Sequence, residues 1–524
     1  MNKSQNLLLV VCCLGVSWNG PSTQAREVTL QDEQLQSIGP LGWIAPSLEI
    51  PNPDRDLPFV DPEVQTPAAS LLRRYQAQGI VGGFQGVIYD NRDRDHSKLP
   101  QSEFPQLSHL TYGPRLREKD LDYGLAGRII LPAIVIGNSS TALTKRPSQR
   151  SQARFAMTAK GEAARAFLTY VNNHIYVYPE HHDHDGADLF PANWPYTLVS
   201  QGSSYSDMPF VKALAFTTAA FPEDTRQFLK EKRLFAPTLQ MIFRRSQKGL
   251  YTRQHYLSGF AHPTVYDADR LAPERMIAMA AALKADEVPP MVRLKVESED
   301  FSDSAGLGEL SERLFTTPSA IARIWRSESF SQNMAISAEK TEDPNGRDLV
   351  FEWVLLRGDP AKVRITSLNA ANSRARISLD WQGERRIDPA AERRTNRVDI
   401  GVFASNGVHD SAPAFVSISF PQHHSRTYRP VGDERKMRLT SIDYAVREES
   451  TYFDPLLHWT ADWQDEFEYG SDGDLVGWKR FLPYDTLILL DGGGRSDQAP
   501  PSYEIKIRKG LPQLYMKSPD APQD

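Results

Sequence analysis

Cysteine is almost missing from this chain, and its scarcity excludes several kinds of chemistry. Only two of the 524 residues are cysteine, Cys12 and Cys13, and both lie in one apolar run near the N-terminus. After that run the chain can form no disulfide, and it offers no thiol nucleophile, cysteine-ligated zinc or iron–sulfur centre. A mature protein without these residues must be held together by packed hydrophobic cores.

Long apolar runs and long basic runs are also lacking. No stretch after residue 25 reaches the roughly 18 to 20 apolar residues that a membrane-spanning helix needs. The 60 Lys and Arg residues are outnumbered by 66 Asp and Glu residues, and the formal net charge is −6. We therefore expect no transmembrane segment and no nucleic-acid partner, because a phosphate-binding face needs clustered positive charge.

The first 25 residues have the pattern of a secretory signal peptide. Lys3 supplies a short positive region, Leu7 to Val16 is an apolar run, and small and polar residues lead to Ala25. The run is too short to span a bilayer, and the alternative is a buried N-terminal strand or helix. We expect cleavage after Ala25 and a secreted or periplasmic product.

Composition and hydrophobic periodicity divide the remainder into several domains. Residues 26–78 are rich in proline and acidic residues and predict an extended N-terminal arm. Helices alternating with strands over residues 79–300 indicate an α/β or α+β domain that holds the candidate site. We expect a helical linker over residues 301–334, an all-β sandwich over 335–421 and a small β-rich region over 422–524.

Individual elements follow from the same periodicities. The Asp-Gly pair at Asp472-Gly473, flanked by alternating apolar residues, predicts a hairpin. Helices are expected over residues 209–221, 222–233, 236–244 and 273–284, with one or two short helices over 310–326. Strands of the sandwich are expected over residues 349–356, 363–367, 374–381, 397–404 and 414–420.

The sandwich region carries the motifs of a known module. The motifs are Asp343-Pro344-Asn345-Gly346 leading into Phe351-Glu352-Trp353, and Val398 to Val402 followed by Asn406-Gly407 and Ala412-Pro413-Ala414. Residues 335–421 thereby resemble immunoglobulin-like modules of the polycystic-kidney-disease and cadherin-like type. The resemblance implies an extracellular β-sandwich that spaces domains or contacts partners, without catalysis. Calcium binding does not carry over, because linked acidic motifs between successive repeats are missing.

Trp353 is the predicted core tryptophan of that sandwich. It lies on an early strand, in phase with other apolar residues that alternate along the region. We therefore expect its replacement by alanine to reduce the free energy of unfolding by roughly 3–5 kcal/mol.

A stretch rich in histidine and aspartate follows the strand predicted over residues 175–178. Four of the twelve histidines fall between residues 174 and 184. The candidate metal ligands are His181, His182, His184, Asp185 and Asp188. Imidazole and carboxylate groups are ligands of divalent metals such as zinc, and an extended His-x-His pair places two rings on one side.

The alternative for this stretch is a solvated polar loop. His-x-His resembles the first metal motif of several metal-dependent hydrolase families. However, Gly186-Ala187 stand where the metallo-β-lactamase pattern needs an Asp-His pair. The sequence therefore leaves a metal site and a plain loop both open.

A second candidate site joins a predicted strand to the helix expected from residue 209. Its candidate catalytic residues are Ser203, Ser204 and Asp207. Hydroxyls and free backbone N–H groups at a helix start suit an anion, or a nucleophile with an oxyanion hole. The nucleophile-elbow pattern is only half present, because its second glycine is missing. Helix capping by Ser206 and Asp207 is the alternative.

Another polar segment follows the strand predicted near residue 89. Acidic residues at positions 90, 93 and 95 lack the order of a calcium loop. We interpret this segment as a charged surface turn.

Two functions from different classes remain. The first is a non-catalytic envelope or extracellular protein that binds a cell-envelope glycan or a protein, with the immunoglobulin-like module as a spacer. The alternative is a secreted metal-dependent hydrolase that uses the cluster from His181 to Asp188, where a bound metal would activate water. The geometry of the three neighbouring histidines discriminates between the two.

Overall fold

The structure is a computed structural model. It describes residues 27–94, 96–125, 128–142, 151–387, 392–422, 424–444, 457–496, 501–508 and 511–517. The predicted signal peptide lies outside the described residues. Across these ranges, no helix is long and apolar enough to cross a membrane.

The N-terminal region combines short strands with helices. Its strands are β1 (Glu27–Leu30), β2 (Gln36–Ser37), β3 (Trp43–Ile44), β4 (Val87–Arg92), β5 (Ser108–Tyr112), β6 (Ile129–Ile130), β7 (Ile134–Ser139), β8 (His174–Pro179), β9 (Ala187–Asp188) and β10 (Leu198–Ser200). Its helices are α1 (Pro67–Ala77), α2 (Pro114–Glu118), α3 (Phe155–Thr158), α4 (Glu162–Tyr170), α5 (Met208–Ala220), α6 (Glu223–Glu231), α7 (Phe235–Ser246), α8 (Arg253–Tyr256) and α9 (Pro273–Ala282).

A six-stranded sheet with the order β1-β5-β4-β7-β8-β10 lies at the centre of this region. Every pair in it is parallel. Parallel strands need crossover connections, and α-helices lie in those from β1 to β4, from β5 to β7 and from β7 to β8, so the N-terminal domain is α/β rather than α+β. Helix α5 is buried nearly all round and packs against β7, α1 and α9, as expected for a helix that is apolar on every side.

The predicted N-terminal arm is part of this domain, which corrects the sequence-based expectation. Strand β1 pairs with β5 and alternates exposed and buried residues, with Val28 and Leu30 in the core. Helix α1 begins after Thr66, whose hydroxyl accepts a hydrogen bond from the backbone N–H of Ala69 at 3.2 Å. The proline and acidic residues are concentrated in the irregular segment between β3 and α1. The apolar residues on either side of that segment pack into the domain, against residues that are distant in sequence.

The middle of the chain forms two further sheets. The strands are β11 (Lys295–Glu299), β12 (Arg313–Thr317), β13 (Ala320–Ile324), β14 (Ser331–Ser337), β15 (Val350–Arg357), β16 (Val363–Ser367), β17 (Arg374–Asp380), β18 (Arg385–Arg386), β19 (Arg394–Thr395), β20 (Arg397–Ser405) and β21 (Ala414–Ser419). The orders β11-β14-β17-β16 and β12-β13-β21-β20-β15 define the two sheets, and side chains from both form one hydrophobic cluster. Only β13 and β21 pair in parallel there among the described strands.

The helical linker expected over residues 301–334 is wrong. Strands β12, β13 and the start of β14 occupy this region. Leu310 to Phe315 has local helix-like spacing, but every residue of β13 is buried and pairs with β21, over ninety residues later. Tertiary pairing decides the local structure there.

The C-terminal region is β-rich, as predicted. Its strands are β22 (Ser425–Val431), β23 (Lys436–Asp443), β24 (Gln464–Tyr469), β25 (Leu475–Leu482), β26 (Thr486–Asp491), β27 (Ser502–Arg508) and β28 (Leu511–Lys517). The first five of these strands form an antiparallel sheet in sequence order. The predicted hairpin is confirmed: Gly473 lies at φ 84° in the turn between β24 and β25.

Trp325, and not Trp353, is the central tryptophan of the two-sheet core. The Trp325 ring is 0% exposed, stacks on Phe420 at 5.3 Å and meets Trp381 edge-on at 6.0 Å. Trp353 is only partly buried at the edge of the cluster, where its indole N–H donates to the carbonyl of Asn372 at 2.8 Å. Sequence alternation alone cannot rank two tryptophans by burial.

Replacement of Trp325 by alanine should therefore reduce the free energy of unfolding by about 3–5 kcal/mol. The Trp353→Ala variant should lose less than about 2 kcal/mol, because its ring gives up less buried area. Urea unfolding of the full chain, followed by tryptophan fluorescence and circular dichroism, measures both values. Equal losses, or a larger loss at Trp353, would contradict this ranking.

Candidate functional site

The strand order makes the carboxyl ends of β4 and β7 the expected position of a ligand crevice. From β4 the chain proceeds to β5 on one side, and then crosses to β7, β8 and β10 on the other side. The connections therefore leave in opposite directions from this pair of neighbouring strands. In doubly wound sheets, ligands bind where the order reverses in this way.

A row of three residues fixes the central strands below that crevice. Asp90, Gly137 and Tyr176 lie side by side on β4, β7 and β8. The Tyr176 hydroxyl passes over Gly137 and donates to Asp90 at 2.6 Å. A Cβ at position 137 would come within 2.8 Å of the Tyr176 ring, so only glycine leaves the path open.

Asn138 lies on the opposite face of the sheet and holds Asp207. Its amide nitrogen donates to Asp207 Oδ2 at 2.7 Å and to the carbonyl of Ser97 at 3.1 Å, while its oxygen accepts from Tyr89 at 2.7 Å. Asp207 immediately precedes α5, but its side chain forms no capping hydrogen bond. Helix capping, the alternative interpretation of Asp207, is therefore wrong.

Asp93 and His96 form a pair at the end of β4. The Asp93 carboxylate lies 2.9 Å from His96 Nδ1. Burial raises the pKa of Asp93, and His96 opposes that shift only in part. The segment predicted as a charged surface turn is thus mostly the end of a buried strand, with Asp90 enclosed in the sheet.

Tyr205 and His181 complete this group from neighbouring loops. The Tyr205 ring lies 4.6 Å from the His96 ring and is 60% exposed. Burial, together with the nearby His182 and His96, lowers the pKa of His181. We refer to the following residues as the carboxyl-edge site: Asp93, His96, Asn138, His181, Tyr205 and Asp207.

Four residues in and around the carboxyl-edge site have strained backbone conformations. Residues other than glycine have left-handed backbone conformations there, with φ of 51° at Ser97, 52° at His181, 72° at His182 and 68° at Tyr205. Such conformations cost energy for residues with a Cβ, and in folded proteins they concentrate where function requires them.

Burial raises the pKa of a carboxyl group within the site, Asp207, and of one next to it, Glu180. Burial raises the pKa of Asp207, whose Oδ1 has no hydrogen-bond partner among the described residues. Burial and Asp185 raise the pKa of Glu180, which accepts a hydrogen bond from the Gly202 N–H at 3.3 Å. Carboxyl groups with a raised pKa next to an imidazole are candidates for proton transfer.

The three neighbouring histidines do not converge. His182 is exposed and pairs with Asp185 at 2.9 Å, whereas His184 is buried and lies 3.7 Å from Asp188. His181 faces the carboxyl-edge site. Over the described part of the chain, no group of three His, Cys, Asp or Glu side chains is placed to hold a metal ion. The zinc site therefore gains no geometric support and stays a prediction.

The two serine candidates are exposed on the loop between β10 and α5. Neither Ser203 nor Ser204 forms a hydrogen bond to a histidine among the described residues. The hydroxyl of Ser206 pairs instead with that of Ser200 at 2.8 Å. Of the three predicted catalytic candidates, only Asp207 lies near both another carboxyl group, that of Asp93, and an imidazole, that of His96.

Asp188 joins the α/β domain to the two-sheet core. Its carboxylate is fully buried, 2.5 Å from Arg357 and 3.1 Å from Arg397. Burial alone would raise the pKa of Asp188, but the two arginines outweigh it and hold the pKa far below its usual range. The predicted metal ligand is thus an ionic contact between domains, and β9 pairs beside it with β19.

Sequence reasoning missed Asp93, His96 and Asn138 as site residues. The sequence signal that could have found them is the presence of polar residues directly after apolar strands. Such residues come together because the carboxyl ends of parallel strands lie at the same edge of the sheet. That signal needs the strand order, which a single sequence does not supply.

Comparisons with known proteins identify no family for this chain. No family model matches it, and no curated protein matches it. A nucleoside hydrolase-related hypothetical protein from Saccharophagus degradans, described as associated with carbohydrate metabolism, is 12% identical over 65% of this chain and 100% of that chain, with a TM-score of 0.19. The tandem Ig repeats of Dlar are 7% identical over 43% of this chain and 94% of theirs, with a TM-score of 0.13. At these TM-scores, neither similarity supports an argument about fold or function.

Asp188→Asn should reduce the free energy of unfolding by about 3–5 kcal/mol, because it leaves buried guanidinium groups without their counter-charge. The matched control is Asp185→Asn, which removes an exposed carboxylate three residues away and should change the value by less than about 0.5 kcal/mol. Urea unfolding at pH 7 measures both. A silent Asp188→Asn variant would show that the interface does not depend on this charge.

Proposed function

We propose that this protein is an exported binding protein whose α/β domain takes a carbohydrate at the carboxyl-edge site. The observation that carries the proposal is Tyr205, an exposed aromatic side chain held at φ 68° whose ring lies 4.6 Å from that of His96, which in turn pairs with Asp93. Nothing in the folding of the loop requires an exposed aromatic side chain in a strained conformation.

The chemistry of the site suits a ligand rich in hydroxyl groups. The apolar face of a sugar ring packs on an aromatic side chain, as other small apolar surfaces do. Its hydroxyls need paired donors and acceptors, and the partly exposed pair of Asp93 and His96 supplies them. The position at the reversal of strand order supports the same conclusion.

The all-β half supports a spacer role in this proposal. Two mostly antiparallel sheets around a tryptophan core are what an immunoglobulin-like module contains. Asp188 and its two arginines hold this module against the α/β domain. The module would therefore present the carboxyl-edge site in one fixed orientation.

Hydrolysis of the bound carbohydrate is the second candidate function. It is favoured by the Asp93–His96 pair and by the raised pKa of both Asp93 and Asp207. A carboxyl group whose pKa is raised can donate a proton to a leaving oxygen, and an ionised partner can activate water. The metal-dependent form of this function, through His182 and His184, remains the separate prediction that elemental analysis of the purified protein tests.

The binding test uses calorimetry with soluble hexasaccharides of glucose, xylose, mannose and N-acetylglucosamine as probes. Tyr205→Ala should weaken the binding of whichever probe binds by about tenfold, since it removes the stacking surface. The matched control is Tyr251→Ala, because Tyr251 is also exposed, at 81%, and also contacts a histidine, His255. A protein that binds no probe, or equal effects at the two tyrosines, would overturn the proposal.

Product analysis of the same mixtures separates binding from hydrolysis. If the protein is a hydrolase, Asp93→Asn should slow sugar release by about 100-fold or more, because it removes a proton-transferring group. Chromatography of overnight digests provides the measurement. Binding without release would leave the binding function in place and exclude hydrolysis of these probes.

A further inference from the structure

A second cavity lies at the opposite edge of the parallel sheet, where β4 and β7 begin. Its volume is about 780 Å³, within the range of small-ligand pockets. None of its lining residues belongs to the carboxyl-edge site, and the carbohydrate proposal leaves this cavity unused.

One wall of the cavity is apolar. Leu48 and Ile50 from the segment after β3 face it, together with Ile134 at the start of β7. Pro46 and Pro132 extend this wall. Such a surface takes small apolar groups of a ligand but supplies no charge of its own.

The other wall is one face of helix α6 and carries charges of opposite sign at its two ends. Glu223, Gln227 and Lys230 follow the spacing i, i+4 and i+7, which places them on one side of the helix. The rise of about 1.5 Å per residue separates Glu223 from Lys230 by roughly 10 Å along the axis. Asp224 adds a second negative charge at the first end.

Lys230 is available to a ligand. Its ammonium group forms no hydrogen bond or ion pair among the described residues, and Gly86 lies beside it. A Cβ at position 86 would come within 3.4 Å of the Lys230 nitrogen. Arg226, by contrast, is buried and donates to the carbonyl of Gly83 at 2.7 Å, so it is already engaged.

The acidic end is exposed to solvent, and its cationic neighbours are Arg226 and Arg55. The contact from Arg55 to Glu223 is 3.9 Å long, and both side chains are mostly exposed. Exposed pairs of this kind contribute little and are easily exchanged for another cation. Both ends of the α6 wall can therefore accept ligand charges.

We propose that this cavity binds a short peptide with free termini, about three residues long. Its ammonium group would lie at Glu223 and Asp224, and its carboxylate at Lys230. An extended residue spans about 3.3–3.6 Å, so three residues match a separation of roughly 10 Å. A free amino acid holds its charges too close together for both ends, and a simple carboxylate has no group for the acidic end.

The amides of the peptide have partners between those ends. Gln227 on α6 and Gln85 before β4 both line the cavity. The Gln227 amide nitrogen donates to Glu231 at 2.6 Å, which leaves its carbonyl oxygen as an acceptor, and the Gln85 carboxamide offers both a donor and an acceptor. The apolar wall then faces the side chains of the peptide. Tri-alanine carries both charged termini and the amides with the smallest side chains that have a Cβ, so it is the appropriate probe.

Calorimetry of the full chain with tri-alanine tests the proposal. Tri-alanine should bind, and N-acetylation or C-terminal amidation should each weaken binding by about tenfold, since each removes one charge-assisted contact. Free alanine should bind more weakly than tri-alanine. No binding of tri-alanine at millimolar concentration, or indifference to both blocking groups, overturns the proposal.

Variants then assign the two ends. Lys230→Met should weaken the binding of tri-alanine about tenfold but leave the binding of C-terminally amidated tri-alanine unchanged. The double variant Glu223→Gln with Asp224→Asn should also weaken the binding of tri-alanine about tenfold but leave the binding of N-acetylated tri-alanine unchanged. The matched control is Lys232→Met, which removes an exposed lysine at the end of the same helix and outside the cavity. Equal effects of Lys230→Met and Lys232→Met in proteins with wild-type circular dichroism would refute the assignment.

Discussion

A buried carboxylate at the contact between the two halves of this protein constrains how they meet. Asp188 lies on β9 of the α/β domain, whereas the guanidinium groups that neutralise it come from β15 and β20 of the two-sheet core. A charge removed from water is tolerated only in a precise hydrogen-bonding geometry. Small rotations between the halves would break that geometry, so the interface has one strongly preferred arrangement.

The same contact explains the conformation of the histidine-rich loop. Both backbone polar groups of Phe190 form hydrogen bonds next to Asp188. The Phe190 N–H donates to the Asp188 carboxylate, and the Phe190 carbonyl accepts from Arg397. Asp183, nearer the start of the loop, is buried against Arg154, and burial raises its pKa to about 7. The loop is thus anchored at both ends by ionic contacts, and its exposed tip carries His182 and Asp185. In this loop, Asp188, which the sequence pattern suggests as a metal ligand, instead holds two domains together.

Local periodicity predicted the regular elements well and the long-range ones poorly. The helices expected over residues 209–221 and 273–284 correspond to α5 and α9, and each strand expected between 349 and 420 is present. Strand β1 and strand β13 were missed, because short strands are decided by partners that lie far away in sequence. For the same reason Asp207 was recognised as a candidate, whereas Asn138, which holds it, was not. Spacing along the chain contains no information about which strands become neighbours.

The left-handed residues around the carboxyl-edge site have an evolutionary consequence. Glycine would adopt these backbone angles without steric cost, whereas serine, histidine and tyrosine each lose roughly 1–2 kcal/mol there. Ser97, His181, His182 and Tyr205 together therefore reduce the stability by an amount comparable to the net stability of a small domain. Neutral drift under selection for folding alone would replace such residues by glycine. In orthologous chains, the persistence of side chains at these positions would accordingly record selection on the ligand rather than on the fold.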